Sequence, residues 1–153
     1  MPDRDRRAAL DAAIELMYFG YRGMVAMPDR LLAERGLGRA HHRILFFVAR
    51  LKRPTVSEVQ RTLAVSKQAL AASLRDLRRQ GLVAWERDRT DARVRRLSPT
   101  PAGRALEARL SALQRRRFAA IFGAGAAADE AGWRAVMRRL AAAELAASGR
   151  DLR

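Results

Sequence analysis

Between Ser66 and Ser98 the chain carries nine basic side chains, Lys67, Arg75, Arg78, Arg79, Arg87, Arg89, Arg93, Arg95 and Arg96, against four acidic ones, Asp76, Glu86, Asp88 and Asp91, a local net charge of +5. Cations at this density attract a polyanion. Their spacing adds direction. If Leu70, Leu74 and Leu77 face inward on a helix, then Gln68, Ala72, Arg75 and Arg79 lie opposite, flanked by Lys67, Ala71 and Arg78. Such a face suits the DNA major groove, with its first residues at base edges and its later arginines at phosphates. Glutamine pairs bidentately with adenine, lysine reaches guanine or a phosphate, and an alanine methyl meets the thymine methyl. The amides near Ser66, at the helix N-terminus, can hold a phosphate. Beyond the helix, Arg87, Arg89, Arg93 and Arg95 surround a polar turn. An arginine at a hairpin tip enters a minor groove, where a narrow A-tract focuses negative potential. Asp91 is placed to hold Arg93 in an extended rotamer.

Several elements must position these groups. "TVSEVQRTL" opens with Thr55 and Glu58 at capping-box spacing, and Val56, Val59 and Leu63 form one apolar face. After Ala64-Val65, Ser66 is an N-cap for a second helix that ends at Gly81. Two short helices joined by a tight turn form a helix-turn-helix. "LVAWER" and "RVRRLS" read as strands around "DRTD", and Thr100-Pro101 starts a helix with a cap and a proline in its first position. That helix runs through Leu106, Leu110, Leu113, Phe118 and Ile121 until "GAGAAAD" breaks it; a last helix carries Trp133, Val136, Met137 and Leu140. Upstream, Leu10, Ile14, Met17, Tyr18, Tyr21, Met24 and Val25 stripe a first helix. Pro28 is expected to break or kink it, with a short helical piece over 30–35 ending at Gly36. "GRAHHRILFFVARL" forms the next helix, closed by Pro54. The expected fold class is mainly α with a small β-hairpin.

The whole chain of 153 residues has a net charge of +15 and no cysteine. Thiolate metal sites, disulfides and thiol switches are therefore excluded. The charged N-terminus lacks the apolar core of a signal peptide, and no apolar run approaches the roughly 18 residues of a membrane span. A cytoplasmic location is expected, with no membrane contact and no cofactor. His41 and His42, adjacent and without a carboxylate pair, make a poor metal site; core or helix-capping roles suit them better. No nucleophile–base pair, glycine-rich phosphate loop or metal cluster marks an enzyme.

The stretch "VSEVQRTLAVSKQALAASLRDLRRQGLVAWERDRTDARVRRLSPTPAG" resembles the winged helix-turn-helix of the MarR family of transcriptional regulators. The matching features are the S-K start of the recognition helix, the Q-G-L-V exit, the D-x-R wing tip at Asp91 and Arg93, and L-S-x-T-x-x-G before the next helix. The resemblance implies a sequence-specific regulator that binds double-stranded DNA as a homodimer on a near-palindromic operator. Residues 36–100 would form the DNA-binding region, and residues 1–35 and 101–150 the helical dimerisation region. It also implies a pocket for a small aromatic or anionic effector that releases DNA. Tyr18, Tyr21, Arg22, His41, His42 and Arg43 fall in the segments that would line it. The family usually has polar or basic residues where this chain has Ala71, Ala72 and Ser73, so sequence discrimination would rest on Gln68, Arg75 and the wing. The competing reading is a non-specific architectural DNA- or RNA-binding protein using the same basic surface.

Overall fold

The computed structural model describes residues 2–150. Their order is α1 (Pro2–Ala33), α2 (Arg39–Arg50), α3 (Val56–Leu63), α4 (Lys67–Arg79), β1 (Val83–Arg87), β2 (Arg95–Pro99), α5 (Pro101–Ala124) and α6 (Ala127–Ser148). Local chemistry accounts for most boundaries. The Thr55 hydroxyl accepts from the Glu58 amide at 3.1 Å while the Glu58 carboxylate accepts from the Thr55 amide at 2.6 Å, the reciprocal box expected of α3. Ser66 caps α4 by accepting from the Ala69 amide, and Thr100 caps α5 by accepting from the Gly103 amide. At the end of α4, Gly81 takes a left-handed backbone (φ 65°), so that its own amide donates to the Arg78 carbonyl and the Leu82 amide to the Leu77 carbonyl. This closure satisfies the last carbonyls of the helix and turns the chain into β1.

The core is continuous across α2, α3, α4, the hairpin and α5. Leu32, Leu45, Val48, Val59, Leu70, Leu74, Leu77, Leu82, Leu97, Leu106 and Leu110 are all buried in one cluster. Each such side chain contributes about 1.5–3 kcal/mol by leaving water. The leucines of α4 thus hold its opposite side outward.

Two elements differ from the sequence reading. The first helix does not stop at Met27: α1 continues through Pro28 to Ala33. Pro28 is among the fully buried residues, and Val25 and Leu32 beside it are also buried. Packing this last third of the helix against the core outweighs the hydrogen bond that proline removes. Gly36 still terminates the turn with φ 65°, and the Leu37 amide reaches back to the Leu32 carbonyl. Second, the hairpin has a neighbour. β1 and β2 pair antiparallel with Trp85 opposite Leu97, and β2 also bridges the segment before α3, where Arg96 pairs with Thr55 and the Leu97 amide donates to the Pro54 carbonyl at 2.8 Å. No helix among the described residues is long and apolar enough to cross a membrane.

Candidate nucleic-acid interface

The outer side of α4 is open to solvent. Lys67, Gln68, Ala71, Arg75 and Arg79 are exposed and Ala72 is half-buried, while Ser73 turns inward with the leucines. Ser66, at the open end, leaves the first-turn amides facing out apart from the one it caps. Arg79 is steadied by Asp76 at 2.9 Å. The same aspartate takes a hydrogen bond from His41 Nε2 at 3.2 Å. His41 Nδ1 accepts from the Gly38 amide at 3.0 Å, so the ring proton sits on Nε2. His41 therefore caps α2 and ties it to α4.

The hairpin tip is built around Asp88. Its carboxylate accepts from the Thr90 hydroxyl, the Arg96 guanidinium and the amides of Thr90 and Asp91. These bonds, led by the Thr90 hydroxyl and Arg96, hold the Asp88 carboxyl well below the usual carboxylate range. Asp91 does not pair with the Arg93 guanidinium as expected. Its carboxylate instead accepts from the Arg93 backbone amide at 2.9 Å, a bond that shapes the turn and leaves the arginine side chain outward. Arg87, Arg89 and Arg95 are exposed as well. On the other side of the ribbon, Arg53 has a left-handed backbone (φ 50°) that aims its carbonyl at Arg96, while its guanidinium meets Glu86 at 2.6 Å. Arg93 and Arg95 border a groove of about 370 Å³ against Thr55, Val56 and Ser57 at the start of α3.

Of the residues expected near an effector, Tyr21, His42 and Arg43 line one cleft of about 220 Å³ with Val25, Arg39, Phe46, Phe47 and Gln114. Tyr18, Arg22 and His41 do not. Arg22 lies over the Tyr18 ring at 5.7 Å on the exposed side of α1, and His41 is engaged as described. His42 is buried, and burial pushes its imidazole below the ordinary histidine range despite Glu107 and Asp29 nearby. Among the described residues, its Nε2 and Asp29 Oδ1 are the buried side-chain polar atoms without a hydrogen-bond partner. The other Asp29 oxygen meets Arg39 at 2.6 Å.

Sequence reasoning passed over three residues that organise this surface: Trp85, Asp88 and Arg53. A lone tryptophan in a basic strand was one available signal; Asp88 with Thr90, two residues on, was a second, whereas Arg53 depends on Glu86 and Arg96, 33 and 43 positions away.

The sequence pattern of the MarR family matches residues 35–94. The HTH-type transcriptional regulator PetP of Rhodobacter capsulatus is 41% identical over 131 residues, which span 86% of this chain and 79% of that protein. Among solved structures, MarR family transcription regulator SP03579 superposes with a TM-score of 0.80 at 20% identity, covering 95% of this chain and 98% of the other. Streptococcus pneumoniae FabT, solved in complex with DNA, superposes with a TM-score of 0.77 at 17% identity, covering 86% of this chain and 94% of its own.

Proposed function

Since the chain belongs to the MarR family of transcriptional regulators, we propose that it binds double-stranded DNA in the cytoplasm as a homodimer on a near-palindromic operator. The observation that carries this reading is the outward side of α4: a capped N-terminus, Lys67, Gln68, Arg75 and Arg79 open to solvent, and an arginine-bearing wing beside it. Residues 36–100 form the DNA-binding region. Residues 1–35 and 101–150 form the dimerisation region, which sets two copies of α4 about 34 Å apart, one turn of duplex. Selection of bound DNA from a random pool tests it. A short two-fold-symmetric consensus is expected; uniform recovery of all sequences would instead mean a non-specific coating protein.

Two substitutions separate reading from positioning. Gln68→Ala is expected to relax preference at one base position in each half-site by about 1–3 kcal/mol. Arg93→Ala is expected to weaken binding on every sequence and to lower the salt slope by about 0.9 for each phosphate it ceases to neutralise. A Gln68→Ala variant that loses affinity equally on all sequences removes that residue from base recognition.

The second part of the reading concerns release. The cleft at His42 has aromatic walls in Tyr21, Phe46 and Phe47, cations in Arg39 and Arg43, and an unpartnered imidazole nitrogen. These groups suit a small aromatic anion whose binding between α1 and α2 alters the DNA-binding region. In a thermal-shift survey of small aromatic carboxylates, a hit is expected to raise the melting temperature of the wild type but not of His42→Leu. A shift equal in both variants places the ligand elsewhere.

A further inference from the structure

Three elements meet at Trp85. The Arg78 guanidinium, from the last turn of α4, lies over its indole at 3.5 Å from the ring centroid. The Arg95 guanidinium, from β2, lies over the same ring system at 4.5 Å. Trp85 itself is half-buried, on the core face of the hairpin, opposite the fully buried Leu97. The indole is therefore anchored by packing, and each guanidinium lies over a rigid surface.

The neighbouring carboxylates are already committed. Asp76 is shared by Arg79 and His41, Glu86 meets Arg53, and Asp88 meets Arg96. Neither Arg78 nor Arg95 makes an ion pair among the described residues. Two like charges are thus held close together on one aromatic platform, at the exposed junction of helix and wing. An anion bound from outside would relieve their mutual repulsion. A guanidinium presents donors in a fork that matches phosphate oxygens, and stacking on the ring leaves the rim of that fork free to donate.

We propose that Arg78, Trp85 and Arg95 form one clamp for a backbone phosphodiester of DNA, with Trp85 as the positioning residue. The inference rests on the DNA-binding reading given above. The pair straddles the space between the helix assigned to the major groove and the ribbon assigned to the minor groove, where a phosphate backbone separates the two. The platform fixes both cations before binding, so less side-chain freedom is lost when the phosphate arrives.

The test is duplex binding by fluorescence anisotropy across a salt series, using the consensus recovered by selection. Trp85→Leu is expected to weaken binding about tenfold and to lower the salt slope by about 0.9 for each phosphate set free. Trp85→Phe, which keeps an aromatic face, is expected to restore most of the affinity. In an Arg78→Ala/Arg95→Ala background, Trp85→Leu is expected to have no further effect. Equal losses from Trp85→Leu in the wild-type and double-alanine backgrounds overturn the clamp, because they show a role in folding alone. Wild-type affinity and slope in a folded Trp85→Leu variant overturn it as well. Failure of the wild-type protein to bind any duplex overturns the DNA-binding reading and the clamp together.

Discussion

Replacing Ile14 with aspartate is expected to yield a monomer of 17.1 kDa and to weaken operator binding by about two to four orders of magnitude. Ile14 is 70% exposed in the single chain, so a carboxylate there disturbs nothing within the protomer. It lies on a helical stripe with Leu10, Met17, Tyr18 and Tyr21, all of them exposed. At the other end of the chain, α6 contributes no buried residue, and Val136 and Leu140 stand out from it. Phe118, Phe122 and Trp133 pack on one another where α5 meets α6, yet a cleft of about 630 Å³ remains beside them. Apolar surface on this scale marks an interface with another molecule, and self-association of identical faces is the commonest form of it. In the proposed homodimer, joining two half-site readers makes the second binding event intramolecular, and losing the dimer would remove that gain. Sedimentation and DNA titration of Ile14→Asp check both effects. A dimer with wild-type affinity would take the α1 stripe out of the interface.

Gly103→Ala is expected to destabilise the protein by about 3 kcal/mol, because overpacking against backbone cannot be relieved by a rotamer change. A β-carbon at Gly103 would collide with the Leu82 carbonyl oxygen and lie 2.9 Å from its carbonyl carbon. Both sides of this close approach are fixed. The Leu82 carbonyl accepts from the Thr100 amide at 3.1 Å, the Thr100 hydroxyl donates to the Gly81 carbonyl at 2.6 Å, and the same hydroxyl caps α5. The end of α4, the residue before β1 and the start of α5 therefore share one junction. Thermal melting should fall by roughly 6–12 °C for a chain of this size. Because the junction carries both roots of the wing, DNA affinity should fall as well, even at temperatures where the variant is folded. An unshifted melting curve would show that α5 can slide away from Leu82 at little cost.

Local order was legible in the residues because it is decided within a few positions of the chain. Thr55 with Glu58, Ser66 with Ala69, and Thr100 with Gly103 are hydrogen-bonded pairs three residues apart. Gly81 marks a left-handed closure just beyond the end of α4. Leucine spacing then oriented α4, and a turn rich in polar residues separated two strands. The basic face and the wing followed from these short-range rules.

Tertiary packing decided what lies beyond that range. Nine cations and four carboxylates between Ser66 and Ser98 attract one another without preference, so spacing alone favoured Asp91 with Arg93. The folded backbone instead brings Asp88 to Arg96, Glu86 to Arg53 and Asp76 to His41, the last pair 35 positions apart. Pro28 stays within a helix because the core behind it is already closed by Leu32 and its neighbours. The chain by itself determined which elements form and which of their faces are polar, since hydrogen-bond and apolar periodicities are local. Only the fold decided which charge meets which partner and which arginines reach solvent with no carboxylate beside them, because Coulomb attraction has no register and takes its geometry from the packed backbone.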